Sequence, residues 1–284
     1  MAEIDLDYRV PSADIADYAT LFYFFRADVP VFDDTERADH AQMRFRLDDG
    51  TAEYRFTDGT VQQATPVHVI GPSSAAFHVR AEGPVRVFGW GVTAAGWAAM
   101  LGGDASNALN RVVDAVPLLG PRMMQARMAM REAEGTDALV AIGTALIQDL
   151  VKDSRSELVQ FAQMVDAWLE DSASPEIDDL IAATGLSRRQ VERKCNAVYG
   201  APPKLLSRKF RALRAAVAMR GRELSFDDAV GRGFYDQSHL IREIKQFTGL
   251  TPKQIRDNPT ILAALTVSHR AALVGQVKSM ISDT

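Results

Sequence analysis

"GFYDQSHLIREIKQFTGLTP", Gly233 to Pro252, carries the marks of an amphipathic helix with a defined start and stop. Leu240, Ile244 and Phe247 recur at the spacing that places three side chains on one helix face, so they form a buried stripe. Gln237, Ser238, His239, Arg242 and Lys245 fall on the other faces. Asp236 is a good N-cap, Gly249 with the later Pro252 is a helix stop, and Gly233 supplies a sharp turn at no steric cost.

An upstream stretch repeats the design. "IDDLIAATGLSRRQVERKCNAVYGAPPK" (Ile177 to Lys204) and "FDDAVGRGFYDQSHLIREIKQFTGLTPK" (Phe226 to Lys253) each read as a short helix, a turn with Gly185 or Gly233, a second helix, and a Gly-x-x-Pro-Lys close. Two helix-turn-helix units are therefore expected. In the first, Val191, Cys195 and Val198 make the inward stripe, Ser187 is the N-cap, and Arg188, Arg189, Glu192, Arg193 and Asn196 are left on other faces. The outward groups cluster in the first two turns, the part of a recognition helix that reaches base edges. Arginine can hold guanine bidentately and glutamine adenine, so the residue types suit a major groove.

Charge agrees with this division. The net charge is −5, yet residues 1–172 carry 14 Lys and Arg against 26 Asp and Glu, a net of −12, while residues 173–284 carry 18 against 11, a net of +7. A basic C-terminal part on an acidic chain fits a polyanion-facing module or, alternatively, a solvated basic helical face.

The two units resemble the AraC/XylS family of bacterial transcription regulators, whose DNA-binding domain is two helix-turn-helix units joined by a long helix. The resemblance covers roughly residues 157–257. It is most specific in the second unit, where an aromatic after the turn Gly is followed by Asp-Gln-Ser-His, an apolar pair, a basic residue, an aromatic and Gly-x-Thr-Pro. It implies that Arg188, Arg189, Glu192 and Arg193 belong to the first recognition helix and Gln237, Ser238, His239 and Arg242 to the second. It also implies promoter DNA and RNA polymerase as partners, with a small-molecule or protein effector and a homodimer as further partners. Ile181, Cys195 and Asp228 depart from the usual pattern, which implies looser packing in the units.

Between the units, "PPKLLSRKFRALRAAVAMRG" offers about 17 helical residues, or about 25 Å. Successive major-groove faces lie roughly 34 Å apart, and the recognition helices add offset at both ends. Lys204, Arg208, Lys209, Arg211 and Arg214 put positive charge on this connector, and Lys209 is expected on phosphate.

Upstream, six runs rich in Phe, Tyr and Val, from "LFYFFRAD" to "VRVFGWGV", are closed by turn residues at roughly ten-residue spacing, so a small cupin-like antiparallel barrel or sandwich is expected to about residue 95. Met43, Phe45 and Leu47 alternate with Arg44 and Arg46, which implies one face in and one out. The aromatics Phe45, Tyr54, Phe56 and Phe77 either line a pocket or fill the core, and Arg44, Arg46, Arg55, Arg80 and Arg86 offer a basic face to a carboxylate or an acidic partner. Helices follow in "NALNRVVDAVPLL", "RMMQARMAMREA" and "TDALVAIGTALIQDLV". The class is α+β, with a sensor or interaction domain at 1–150, a DNA-binding domain at 156–257 and a helical tail at 258–284.

A cupin-like metal enzyme is the competing reading. Its His-x-His signature is missing: His40, His68 and His78 stand apart in sequence, and neither a glycine-rich phosphate loop nor a Gly-x-Ser-x-Gly elbow occurs. No catalysis, metal or cofactor is expected. Cys195 reads either as buried filler or as a redox-sensing thiol beside Arg193 and Lys194. No secretion signal and no run of the ~18 to 20 apolar residues that a membrane span needs are present, so a cytoplasmic location is expected.

Overall fold

Ten strands and twelve helices follow one another along the described residues, which in the computed structural model are 4–152, 157–221, 226–231 and 233–277. The strands are β1 (Ile4–Arg9), β2 (Ala19–Ala27), β3 (Val31–Glu36), β4 (Ala41–Arg46), β5 (Ala52–Arg55), β6 (Val61–Gln63), β7 (Val67–Ile70), β8 (Phe77–Glu82), β9 (Val85–Val92) and β10 (Val112–Asp114). They pair antiparallel into a six-stranded sheet, β1-β2-β9-β4-β7-β10, and a four-stranded sheet, β3-β8-β5-β6. The two do not close on each other, so the domain is an open sandwich rather than a barrel. All six expected runs are strands, and β1, β3, β6 and β10 join them.

Both faces of the large sheet are buried, which corrects the one-sided reading of β4. On one face Phe22, Met43, Phe45, Phe88 and Trp90 pack beneath helices, with Met43 opposite Trp90 and Phe45 opposite Phe88 in the β4–β9 register. On the other face Leu6, Tyr23, Phe25 and Ile70 meet Phe32, Tyr54, Phe77 and Val79 of the small sheet. Arg44 and Arg46 point into this inter-sheet space and are 8% and 5% exposed. Strand β8 does alternate as expected, with Phe77 and Val79 buried and Arg80 out.

The covering helices are α2 (Ala115–Leu119), α3 (Arg122–Glu132) and α4 (Gly135–Val151), preceded by α1 (Ala94–Gly96) and its continuation as a wide π-type turn through Leu101. The expected helix over 107–119 is corrected: Asn107 and Ala108 end a short 3-10 turn, Val112 and Val113 are β-branched and pair with β7 as an edge strand, and only the last five residues are α-helical. Of the methionine stripe, Met123 and Met130 are wholly buried and Met128 stands out in solvent.

The C-terminal half is helical: α5 (Glu157–Asp171), α6 (Ile177–Thr184), α7 (Arg188–Tyr199), α8 (Pro203–Arg220), α9 (Phe226–Val230), α10 (Gln237–Thr248), α11 (Pro252–Asp257) and α12 (Ile261–Ala271). The stretch 150–156, where a boundary is expected, runs from the last turn of α4 towards α5, and residues 153–156 of it lie outside the described residues. Phe161, Leu180, Val191, Val198, Leu206 and Phe210 build the first unit's core, and Leu213, Ala216, Phe234, Leu240, Ile244 and Phe247 the second's. No described helix is long and apolar enough to cross a membrane.

One glycine carries a packing constraint. A Cβ on Gly143 of α4 would stand 2.8 Å from the Phe22 ring and 3.2 Å from Phe88. Alanine raises helix propensity by about 1 kcal/mol, whereas overpacking costs about 1–3 kcal/mol. Gly143→Ala is therefore expected to lower the denaturant midpoint of the N-terminal domain, and a raised midpoint would show that α4 moves freely off the sheet.

Candidate functional site

Helix α7 starts where the sequence says it must. Ser187 Oγ accepts from the Gln190 amide, and Gln190 Oε1 accepts from the Ser187 amide at 2.9 Å, a reciprocal cap. Gly185 and Gly200 bound the unit at φ 65° and 70°, where only glycine sits without strain. Arg188, Arg189, Glu192 and Arg193 are all exposed on its outer face, with Arg188 paired to Asp178 at 2.6 Å. Cys195 is fully buried between Val191 and Val198, and burial pushes its thiol up to about 12, which fits packing rather than redox sensing.

Helix α10 is capped by Asp236, whose Oδ1 accepts from the His239 amide at 2.7 Å. Gln237, Ser238, Arg242 and Lys245 are exposed. His239 departs from expectation. Its Nδ1 accepts from the Tyr235 amide at 3.1 Å and its ring stands edge-on to Phe234, so it is half-buried and holds the turn.

The connector α8 uses most of its cations inside the protein. Arg208 grips the buried Glu243 of α10 through two bonds of 2.9 and 2.6 Å, Arg211 donates to Ser174 Oγ, and Arg214 donates to the Ser172 carbonyl. Lys209 corrects the sequence reading most sharply. It is 5% exposed, its Nζ donates to the Asp39 carbonyl of the N-terminal domain at 3.2 Å, and burial pushes its amine down to about 8.

Sequence reading also missed a cleft. Between the two units Arg188, Lys204, Arg208, Arg211, His239 and Arg242 line a space of about 790 Å³, together with the exposed Glu176 and the buried Glu243. These residues are scattered from 176 to 243, and only the packing of α8 between the units brings them together.

A second concavity of about 140 Å³ lies inside the sandwich and runs out to α8 and α12. Its walls are apolar, including Leu6, Phe25, Phe32, Phe77 and Val79. At its inner end Arg44 binds both oxygens of Glu36, at 2.8 and 2.5 Å, and donates to the hydroxyls of Tyr23 and Tyr54. That guanidinium is satisfied on every nitrogen. Arg44 is thus an internal pin rather than part of an exposed basic face.

The histidines are dispersed. His40 stands beside Asp39, His78 pairs with Asp33, and His68 is fully buried, with Tyr54 Oη at 3.1 Å from its Nε2 and Nδ1 bonded to the Thr65 carbonyl. Among the described residues no three His, Cys, Asp or Glu side chains gather as a metal site.

With this geometry in place, the family comparison is specific: a helix-turn-helix domain model matches residues 180–258. These residues are an AraC-type helix-turn-helix domain. The chain is a DNA-binding regulator built on that domain. No curated protein matches the sequence. In fold the chain is similar to ToxT from Vibrio cholerae O395, at 10% identity and a TM-score of 0.45 over 84% of this chain and 99% of that one. It is similar also to ToxT of strain SCE256 bound to an unsaturated fatty acid, at 11% identity and a TM-score of 0.45 over 82% and 94% of the two chains. A third ToxT structure, bound to (E)-4-(8-methylnaphthalen-1-yl)but-3-enoic acid, shows 11% identity and a TM-score of 0.46 over 82% and 97%.

His68 yields a pH prediction. Burial, reinforced by the Arg44 charge, pushes its imidazole from 6.5 down to about 3. The unfolded chain therefore binds the proton that the folded chain refuses, and stability falls as pH drops from about 6.5 towards 3. Replacing His68 with Gln is expected to flatten that fall in the denaturant midpoint measured from pH 7 to 4. An unchanged pH slope would show that His68 takes up its proton within the fold.

Proposed function

We propose that the chain regulates transcription by sequence-specific binding, with α7 and α10 entering successive major grooves and the phosphate backbone between them crossing the cationic cleft. The observation that carries this reading is the exposure of Arg188, Arg189 and Arg193 on α7 and of Gln237, Arg242 and Lys245 on α10, with Arg188 and Arg242 lining that cleft. In this reading the exposed Glu192 of α7 accepts from a cytosine amine, and the exposed Ser238 bonds either a base or a phosphate. The 18 residues of α8 span about 27 Å at the helical rise, and the offsets of α7 and α10 make up the rest of one DNA turn.

In the same reading residues 1–150 form a sensor domain, 156–257 the DNA-binding domain and 258–284 an appended tail. A small effector with an apolar body occupies the sandwich cavity, whose walls offer it 140 Å³. The chain acts in the cytoplasm at promoters, in company with RNA polymerase and a second copy of itself, and carries out no catalysis.

The test is fluorescence anisotropy on a selected cognate site and on random DNA across a salt series. Arg242→Ala or Gln237→Ala is expected to cost about 1–3 kcal/mol on the cognate site with little change on random DNA. Lys204→Ala is expected to weaken both alike and reduce the salt slope by about one. Lys209→Met is expected to leave the slope unchanged because that amine is buried. Equal losses on cognate and random DNA for Arg242→Ala would remove base reading from α10.

A further inference from the structure

Helix α12 lies outside the matched domain and bridges the two halves of the molecule. Its first turn is held by the sandwich: the Leu262 amide donates to Asp34 Oδ2 of β3 at 2.8 Å, and Leu262 and Leu265 pack on the inter-sheet core. Its middle is held by the DNA-binding domain, where Ala263 joins the second unit's core and Arg220 of α8 reaches the Ala263 and Ala264 carbonyls at 3.5 Å. Its last turn returns to the sandwich, where Arg270 bonds Asp39 Oδ2 at 2.9 Å and lies over the Tyr8 ring.

Leu262, Ala263, Thr266, Val267 and Arg270 also form one wall of the cavity. The other walls are strands and the well-buried α8 with the α10–α11 corner, so α12, with one buried residue, is the movable side. Its hold is modest. Of its eleven residues only Arg270 is buried, and a helix shorter than about 12–15 residues is marginal in water without tertiary support. The latch itself is a shared one, since Arg37 also bonds Asp39, and the Nε of both arginines is buried without a partner. Because Arg37 stays on Asp39 when Arg270 leaves, the carboxylate is not left unpaired, and opening costs less than breaking an isolated buried pair.

We propose that α12 is a strap across the effector cavity, released as a unit when the Arg270–Asp39 latch opens, and that an effector enters by this route. The proposal rests on the reading of the cavity as the effector site. Lifting the strap removes contacts from the sandwich and from α8 together, which gives cavity occupancy a direct path to the DNA-binding domain.

Thiol labelling of the full chain tests it. Ala81→Cys places a thiol in the cavity wall, and the native Cys195, buried in the first unit, reports opening of the fold as a whole. With methyl methanethiosulfonate as probe, adding Arg270→Gln is expected to speed labelling at position 81 by about tenfold or more, with Cys195 unchanged, as local opening of one element requires. An unchanged rate at position 81 overturns the strap, and so does a parallel rise at both thiols. If Arg270→Gln lowers the helical circular dichroism of the whole chain, Thr260→Ala, which removes only the α12 N-cap, replaces it with the same outcomes read. DNA binding by the unmodified protein is measured separately. Its absence would overturn the regulator reading and leave the labelling answer standing.

Discussion

Helix α8 has to bury itself twice, and that requirement sets the arrangement of everything that meets DNA. Leu206 and Phe210 belong to the first unit's core, while Leu213, Ala216 and Met219 belong to the second's. A helix rises about 1.5 Å per residue, so the residues between those clusters fix how far apart α7 and α10 stand. The Arg208–Glu243 bridge then sets rotation as well as distance, because a bidentate pair tolerates little sliding. Two units sharing one axle form a single rigid gauge.

The junction between this gauge and the sandwich is of another kind. Beside apolar contacts of Ala94 and Ala95 with the first unit and of Ala38 with the second, its links include hydrogen bonds from the Ala38 amide to the Phe247 carbonyl at 2.7 Å and from the Ala76 amide to the Gln246 carbonyl at 2.8 Å, with Lys209 and Arg270 both on Asp39. The polar part of such a junction opens at lower cost than an apolar core, because water replaces the bonds that are lost. The last turn of α10 is thus tied to the domain that holds the cavity, and by bonds of a type that can be exchanged. Burial alone would raise the Asp39 carboxyl, yet Arg270 and Arg37 hold it well below its ordinary range, so the tie keeps its charge near neutral pH.

How far the sequence was legible depended on how local the determining physics was. Caps, turn glycines and helix stripes act within a few residues, so α7 and α10 could be read to within a residue at Ser187, Asp236, Gly200 and Gly249. Strand β4 could not be, because alternation distinguishes two faces without saying what covers the second one. Met43 and Phe45 turned out to face helices, and Arg44 and Arg46 another sheet. Arg44 tolerates that place because Glu36 arrives from β3, eight residues back and in the other sheet. The strand at Val112–Asp114 was hidden for a related reason, its partner β7 lying some forty residues upstream in a pairing that no local pattern records.

Net charge shows the same limit from the other side. The +7 of residues 173–284 fits a polyanion partner, but its count includes Lys209, whose amine is buried on the Asp39 carbonyl, and Arg270, which pairs with the Asp39 carboxylate in the acidic half. Arg208 likewise spends its charge on Glu243. The field that DNA meets is therefore set less by the sum than by which cations the fold leaves outside. Those on α7 and α10 stay outside because the apolar stripes beneath them occupy the opposite faces, so the periodicity that buries Val191 and Ile244 is also what presents Arg193 and Arg242.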